Sequence, residues 1–274
     1  MLINCTFNGN AATGGRGGDG YSGSPAGVGG AADGGGVWNS GSATLINTTL
    51  AANSVLRGNG GGGAGLSPGG NGGNVTGGGF AQAGAANCVS RNTIVAGDSA
   101  TGGTGGIATP GSGASSGANG TATGTDIYGA ISSQGRNLIG RTDGNSGWMA
   151  SDLLGGTTAG TKLDPLLGAL QDNSGPTQTL RPAAGSAAID NGDDAVLSAP
   201  FSLTSDQRMS TSARWRSAFF NPDPLSPSRI RLGMMMEPAP PTTARFSKHS
   251  TRVTRTADAN TIIFAPALSG IIST

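Results

Sequence analysis

The chain carries few residues suited to covalent or metal chemistry. Its 274 residues include one histidine, His249, and two cysteines, Cys5 and Cys88. A Ser/His/Asp triad or a histidine metal site needs an imidazole among converging partners. His249 stands in a Gly-poor stretch with no such motif, so neither role is expected of it. Two cysteines make neither a disulfide framework nor a four-ligand site. Both read as small buried side chains, with a partner elsewhere as the alternative. Carboxylates holding Ca²⁺ beside an arginine base could cleave an acidic polysaccharide, and Asp98, Asp126, Arg91 and Arg136 are the candidates. Ca²⁺ needs about 6–8 oxygens, and these residues do not recur at one repeat offset, so they read as solvated loop charges. "GGRGGDGYS" (14–22) resembles one copy of a calcium nonapeptide, but only Asp19 is suitably placed and such sites need stacked copies. "GNGGGGAG" is not followed by the Lys-Ser/Thr of a phosphate cradle. Trp38, Trp148 and Tyr128 offer flat apolar faces that could stack on sugar rings, although Trp38 is expected to pack in the core or at an edge. No residue is assigned as catalytic, cofactor-binding or metal-ligating, and Ca²⁺ is the one ion considered.

The elements that must carry these residues are β-strands. Glycine numbers 52, aromatics make up 4% and charged residues 11%. Each Gly costs a helix about 1 kcal/mol relative to Ala, which argues against a helical globule, and the low charge argues against a charged disordered chain. A net charge of +1 gives no bulk field toward nucleic acid or membrane. No apolar run reaches the ~18 residues of a spanning helix. Residues 1–206 carry 7 Lys+Arg against 12 Asp+Glu, and residues 207–274 carry 9 against 3. The chain changes character near Gln207.

A sentence is repeated in the first half. "GGGVWNSGSATLINTTLAANS" (34–54) returns as "GGGFAQAGAANCVSRNTIVAGDSA" (77–100), and "MLINCTFNGNAA" (1–12) is a shortened copy. Aligning Thr6, Thr49 and Thr93 gives spacings of 43 and 44 residues. A fixed period of this size marks an architecture whose units bury a face only against their neighbours. "ATLINTTLA" has the β-branched and apolar content of short strands. Leu45 and Leu50 are expected inside. Asn10 and Asn53 are expected in a stacked turn ladder. The Gly-rich stretches between strands offer little apolar surface against ordering entropy and read as long loops on one side. The expected fold is all-β: a right-handed parallel β-helix (β-solenoid) over residues 1–150, with Gly-rich loop insertions and an irregular C-terminal tail.

The motif "GGGVWNSG…TLINTTLAANS" resembles the β-helix repeats of bacterial surface proteins, among them the polymorphic outer membrane proteins. "TDIYGAISSQGRNLIG" (125–140), "SDLLG" (151–155) and "LDPLLGALQDNSGPTQTLRPAAGSAAIDNGD" (163–193), ending at "SDQR" (205–208), are similar to the choice-of-anchor Q domain. The resemblance covers 1–208 and implies a secreted or cell-surface protein. It brings no catalytic motif. Residues 151–208 are then a capping region packed on the end of the repeats, and "GPTQTLRP" (175–182) an ordered wrap-around loop. Residues 209–257 lose the pattern and read as a disordered linker or a frame-shifted segment. Residues 258–274 resemble the start of a further β-helix unit. Because "MLINCTF" begins inside a strand that the second copy shows in full, the chain is expected to be a fragment whose signal peptide lies upstream. The expected function is adhesive or structural, non-enzymatic, with extracellular glycans or cell-surface components as partners and with neither nucleic acid nor membrane span. The alternative is a piece of a polysaccharide lyase-like or glycan-binding β-helix whose active rungs lie elsewhere.

Overall fold

Three asparagines set the repeat. Asn4, Asn47 and Asn92 hold positive φ values of 53°, 49° and 51°, a conformation that Asn tolerates better than most residues. Their side chains stack: Asn47 Nδ2 donates to Asn4 Oδ1 at 3.1 Å, and Asn92 Nδ2 to Asn47 Oδ1 at 3.0 Å. The next position is held by Cys5, Thr48 and Thr93. The Thr48 and Thr93 hydroxyls donate back to the carbonyls of Ile46 and Arg91, at 3.1 Å each, and the Cys5 thiol to that of Ile3. The expected alignment of Thr93 with Thr49 is therefore one residue out. Thr6 pairs with Thr49, and Thr49 with Ile94. A one-residue slip would turn every side chain of the strand to its other face, and the asparagine turn fixes the register.

The structure is a computed structural model describing residues 1–208 apart from Ser22 and Ala85. Those residues are all-β, with helix confined to the short 3₁₀ turns Ala159–Thr161 and Asp194–Leu197. Strands of successive copies pair in parallel in five sheets. One contains Leu2–Ile3, Ser42–Ile46, Asn87–Arg91 and Ser132–Ser133. A second contains Val37–Asn39, Phe80–Gln82, Ile127–Ala130 and Asn145–Ser146. A third runs through Thr6–Asn8, Thr49–Ala51, Ile94–Ala96, Leu138–Ile139 and Leu153–Leu154. Two three-stranded sheets are built from Ala11–Thr13, Ser54–Leu56 and Ser99–Thr101, and from Ala32–Asp33, Val75–Thr76 and Ala122–Thr123.

Like stacks on like inside. Val37, Phe80 and Ile127 form one column, and Phe7, Leu50, Val95 and Ile139 another. Leu45 and Leu50 are buried as expected, in one cluster with Phe80, Cys88, Val95, Ile127, Ile131 and Ile139. Burying each such side chain contributes about 1.5–3 kcal/mol.

The glycine-rich stretches lie largely outside the strands given above, as expected of loops, but they are tied together by regular backbone hydrogen bonds. Each copy sends out an extended arm that returns beside itself, and three such hairpins stack. Within hairpins, Gly27 N–H donates to Gly18 O, Gly30 to Gly15, Gly70 to Gly61, Gly73 to Gly58, and Gly117 to Gly106. Between hairpins, Gly17 donates to Asn59 O, Gly20 to Gly62, Gly60 to Thr104 and Gly63 to Ile107. The donors recur every third residue, the period of a polyproline II helix. That geometry has no internal hydrogen bonds, so every backbone group is free to bond a neighbouring arm. The approach requires the missing side chain at Gly61 and Gly106: a Cβ at either would overlap a carbonyl oxygen of the adjacent arm. Backbone hydrogen bonds and close packing replace the apolar burial that these arms lack. Tyr21, Leu66 and Ile107, all more than 70% exposed, stand near the hairpin tips.

Residues 151–208 begin as a further layer, with Leu153–Leu154 on Leu138–Ile139. They then do more than close the end. The antiparallel pair Leu167–Gln171 and Thr179–Pro182 follows, so part of the expected wrap-around loop is strand. The segment then runs back along the outer face of the third sheet. Ala188 packs with Ile94, Ala96 and Leu138. Asp193 bonds Arg91 and Asn92, Asn4 Nδ2 donates to Ser205 O, and Thr6 Oγ1 donates to Gln207 Oε1. The apolar outer positions Ile94 and Leu138 need this cover.

Candidate functional site

The second sheet presents an aromatic row. Val37, Phe80 and Ile127 point inward, so alternation turns Trp38, Ala81 and Tyr128 outward. Register places these three side by side, Trp38 on Ala81 and Ala81 on Tyr128. Trp38 is 49% exposed and Tyr128 36%. Of the two places expected for Trp38, the core is excluded because strand parity puts Val37 inside; Trp38 stands on the open face of the sheet's edge strand. Ala81 is fully buried between the two aromatic positions, and the main chain of Gly77 presses on it. A Cβ on Gly77, whose φ is +65°, would lie 2.6 Å from the Ala81 methyl.

Beyond Tyr128 the row opens into a cleft. Its lining is Gln82–Gly84, Tyr128–Ala130 and Gly144–Ser146, around about 720 Å³ including space open to solvent. No lining side chain is charged. Its amides are held in place. Gln82 Nε2 donates to Ala130 O at 2.9 Å and to Ala86 O at 2.6 Å, while Asn145 Nδ2 donates to Ile127 O and Arg141 O. Trp148 Nε1 donates to Asn145 Oδ1 at 2.7 Å, and its ring packs on the core. Trp148 therefore supports the cleft from behind and is not part of the open aromatic row.

The lyase-type candidates are not assembled on a surface. Asp98 and Asp126 are 7% and 1% exposed, which corrects the reading of solvated loop charges. They end the expected asparagine ladder. Asn10 Nδ2 donates to Asn53 Oδ1 at 2.9 Å, and Asn53 donates from its backbone N and its Nδ2 to Asp98 Oδ1 at 2.7 and 2.9 Å. Asp98 N donates to Asp126 Oδ1 at 2.9 Å. Asp98 Oδ2 has no partner and lies against Gly79. Burial raises the Asp98 pKa well above the ordinary 3.8, the Asp126 charge raises it further, and the Asn53 donors oppose. Burial also pushes Asp126 up to about 6, against backbone donors from Asp98 and Arg141. Each of the two binds a proton more tightly than an exposed carboxylate does. The Gly79 and Gly140 main chains pack against the outer carboxylate oxygens.

The remaining candidates are dispersed. Arg91 pairs with Asp193 at 2.8 Å, and Arg136 donates to Asn191. Asp19 pairs with Arg16 and accepts from Gly62 N at 2.7 Å, tying one glycine arm to the next. Cys88 is buried, its thiol pushed up to about 12 by that burial, and Cys5 is partly buried; both are free. His249 and the segments 209–257 and 258–274 lie outside the described residues. Among the described residues, no group of three His, Cys, Asp or Glu side chains converges as metal ligands would, and no helix is long and apolar enough to cross a membrane.

Sequence reasoning missed the cleft, because Gly129 and Gly144 carry no signal until the strand register aligns them. It missed the buried carboxylates although Asp98 follows Asn53 at the repeat offset of 45 residues. No protein-family model, curated protein or solved structure matches the chain.

Proposed function

We propose that this chain is a right-handed parallel β-helix of the polymorphic outer membrane protein-like kind, closed by a choice-of-anchor Q-like region over 151–208. We propose further that it serves as a non-enzymatic secreted or cell-surface protein with an adhesive or structural role. The observation that carries this reading is the stacking of successive copies in register with an open side. A column of parallel strands buries its own core and leaves its flanks as extended surfaces of fixed spacing. On one flank, partly exposed aromatic positions stand beside an uncharged cleft. The stacked glycine hairpins stiffen another flank. Such a surface presents contacts to a large partner and needs no moving part. The motif order through 125–208 supports the exported location.

The test is accessibility on intact source cells. Antibody raised against the chain should label unpermeabilised cells or find the protein in the medium, and external protease should remove the cell-bound signal. Signal seen only after lysis would overturn the surface reading.

A further inference from the structure

Trp38, Tyr128 and the uncharged cleft next to Tyr128 lie along one sheet at fixed intervals. We infer that they form a binding site for an extended, neutral carbohydrate chain. The inference deepens the adhesive reading and rests on it.

Three features of the site select this ligand class. First, the aromatic positions lie two strands apart, which places their main chains about 10 Å from one another. An extended β-linked sugar chain presents the same ring face at every second residue, over a comparable repeat. The residue between is Ala81, a small side chain covered in part by the Gly77 main chain, so no third large side chain stands in the row. Aromatic rings bind the C–H face of a pyranose through large, flat apolar contact. Second, the cleft that continues the row has a mixed polar and apolar lining with no ionised side chain. A uronate polymer brings a carboxylate on every residue and needs cations to offset it. A neutral chain brings hydroxyls, which the Ser146 and Tyr128 hydroxyls, backbone groups and the amide oxygens can bond, the amide N–H donors being engaged with main-chain carbonyls. Third, the wall is preorganised. Gln82 and Asn145 are fixed by the bonds given above, and Gly129 lies beside Gln82 where a side chain would collide: a Cβ there would meet the Gln82 Cβ at 2.9 Å. A fixed wall loses little side-chain entropy on binding.

The experiment is calorimetric titration of the full chain with cellohexaose as the neutral probe, and with a hexamer of galacturonate as the acidic one. Wild type, Trp38→Ala and Tyr128→Ala are compared, with far-ultraviolet circular dichroism as the folding control. Both residues are partly exposed, so both variants should fold. The expected result is cellohexaose binding that weakens at least about fivefold in each variant, with no binding of the acidic hexamer. Preference for galacturonate, binding unchanged in both variants, or no cellohexaose binding would each overturn the site. Surface labelling of intact cells is read separately. If labelling persists while sugar binding fails, only this site falls; if labelling fails, the adhesive reading falls with it.

Discussion

At the residue scale, the two buried carboxylates make the sharpest statement. The ladder runs Asn10, Asn53, Asp98, so an acid stands where the earlier copies have an amide, and it ends on a second acid, Asp126, at the register position of Gly36 and Gly79. A carboxylate whose folded pKa is raised binds its proton more tightly in the folded state. Its favourable contribution is complete below the ordinary carboxylate pKa and is lost as pH rises toward the folded value. For Asp126 that window lies between 3.8 and about 6, and for Asp98 it extends upward from the same lower edge. The protein should therefore melt at lower temperature at neutral pH than at mildly acidic pH. The expected loss is of order 2–3 kcal/mol for Asp126. Asp98→Asn restores the residue type of the copies below it, so it should raise the neutral-pH melting temperature and flatten the pH profile. A profile unchanged by Asp98→Asn would show that Asp98 is not the source. The ladder itself was legible, because Asn10 and Asn53 follow matching strands. Its acidic end was not. Asp at a repeat position looks like solvated charge until the register shows that nothing but protein surrounds it.

At the element scale, the glycine arms were the least legible part and have the most to test. Hydropathy patterns report apolar side chains, and these arms have almost none. What the sequence did contain was a three-residue spacing: Gly14, Gly17 and Gly20 in one arm, Gly58 and Gly61 in the next, Gly103 and Gly106 in the third. That spacing matters only where arms approach closely enough to exclude a methyl. Gly106→Ala places a Cβ into the Gly61 carbonyl and should destabilise by at least about 2 kcal/mol, a large effect for one methyl. Gly18→Ala meets no atom within 4 Å and should stay within about 0.5 kcal/mol of wild type, or gain slightly from lower unfolded-state entropy. Equal melting temperatures for the two variants would contradict the packed hairpins. Hydrogen exchange gives a second reading. The amides of Gly27, Gly30, Gly61 and Gly70 should be protected like those of the core strands, whereas loops would exchange within the first time point. The strand elements were easier to read. Leu45 and Leu50 stand in short β-branched and apolar runs, and Val37 and Phe80 follow identical glycine triplets. The Thr93 alignment failed by one residue because threonine recurs at adjacent positions, and only the left-handed turn at Asn92 separates them.

At the scale of the whole molecule, successive copies are stacked by register, tied by asparagine ladders and closed along one flank by the segment that runs from Leu163 back to Gln207. That return path joins the last layer to the first. Asn4 Nδ2 bonds Ser205 O, and Asn92 bonds Asp193. Truncating the chain before Leu163 removes Leu163, Leu167 and Ala188 from the cluster around Ile94 and Leu138; it should therefore uncover Ile94 and Leu138 and promote aggregation, which light scattering on the purified protein would register. That the chain is all-β with parallel strands was readable from the repeat and the glycine content. The path of 151–208 was not, because its contacts join residues about 100 or 200 positions apart. In the function proposed above, this scaffold binds without turnover. The most direct measurement is to incubate the full chain with an insoluble neutral β-glucan and, separately, with polygalacturonate and Ca²⁺. Protein retained on the solid and absorbance from unsaturated sugar products are followed together. The account predicts retention on the neutral glucan and flat absorbance in both reactions. Rising absorbance with polygalacturonate would contradict it and make the chain a lyase.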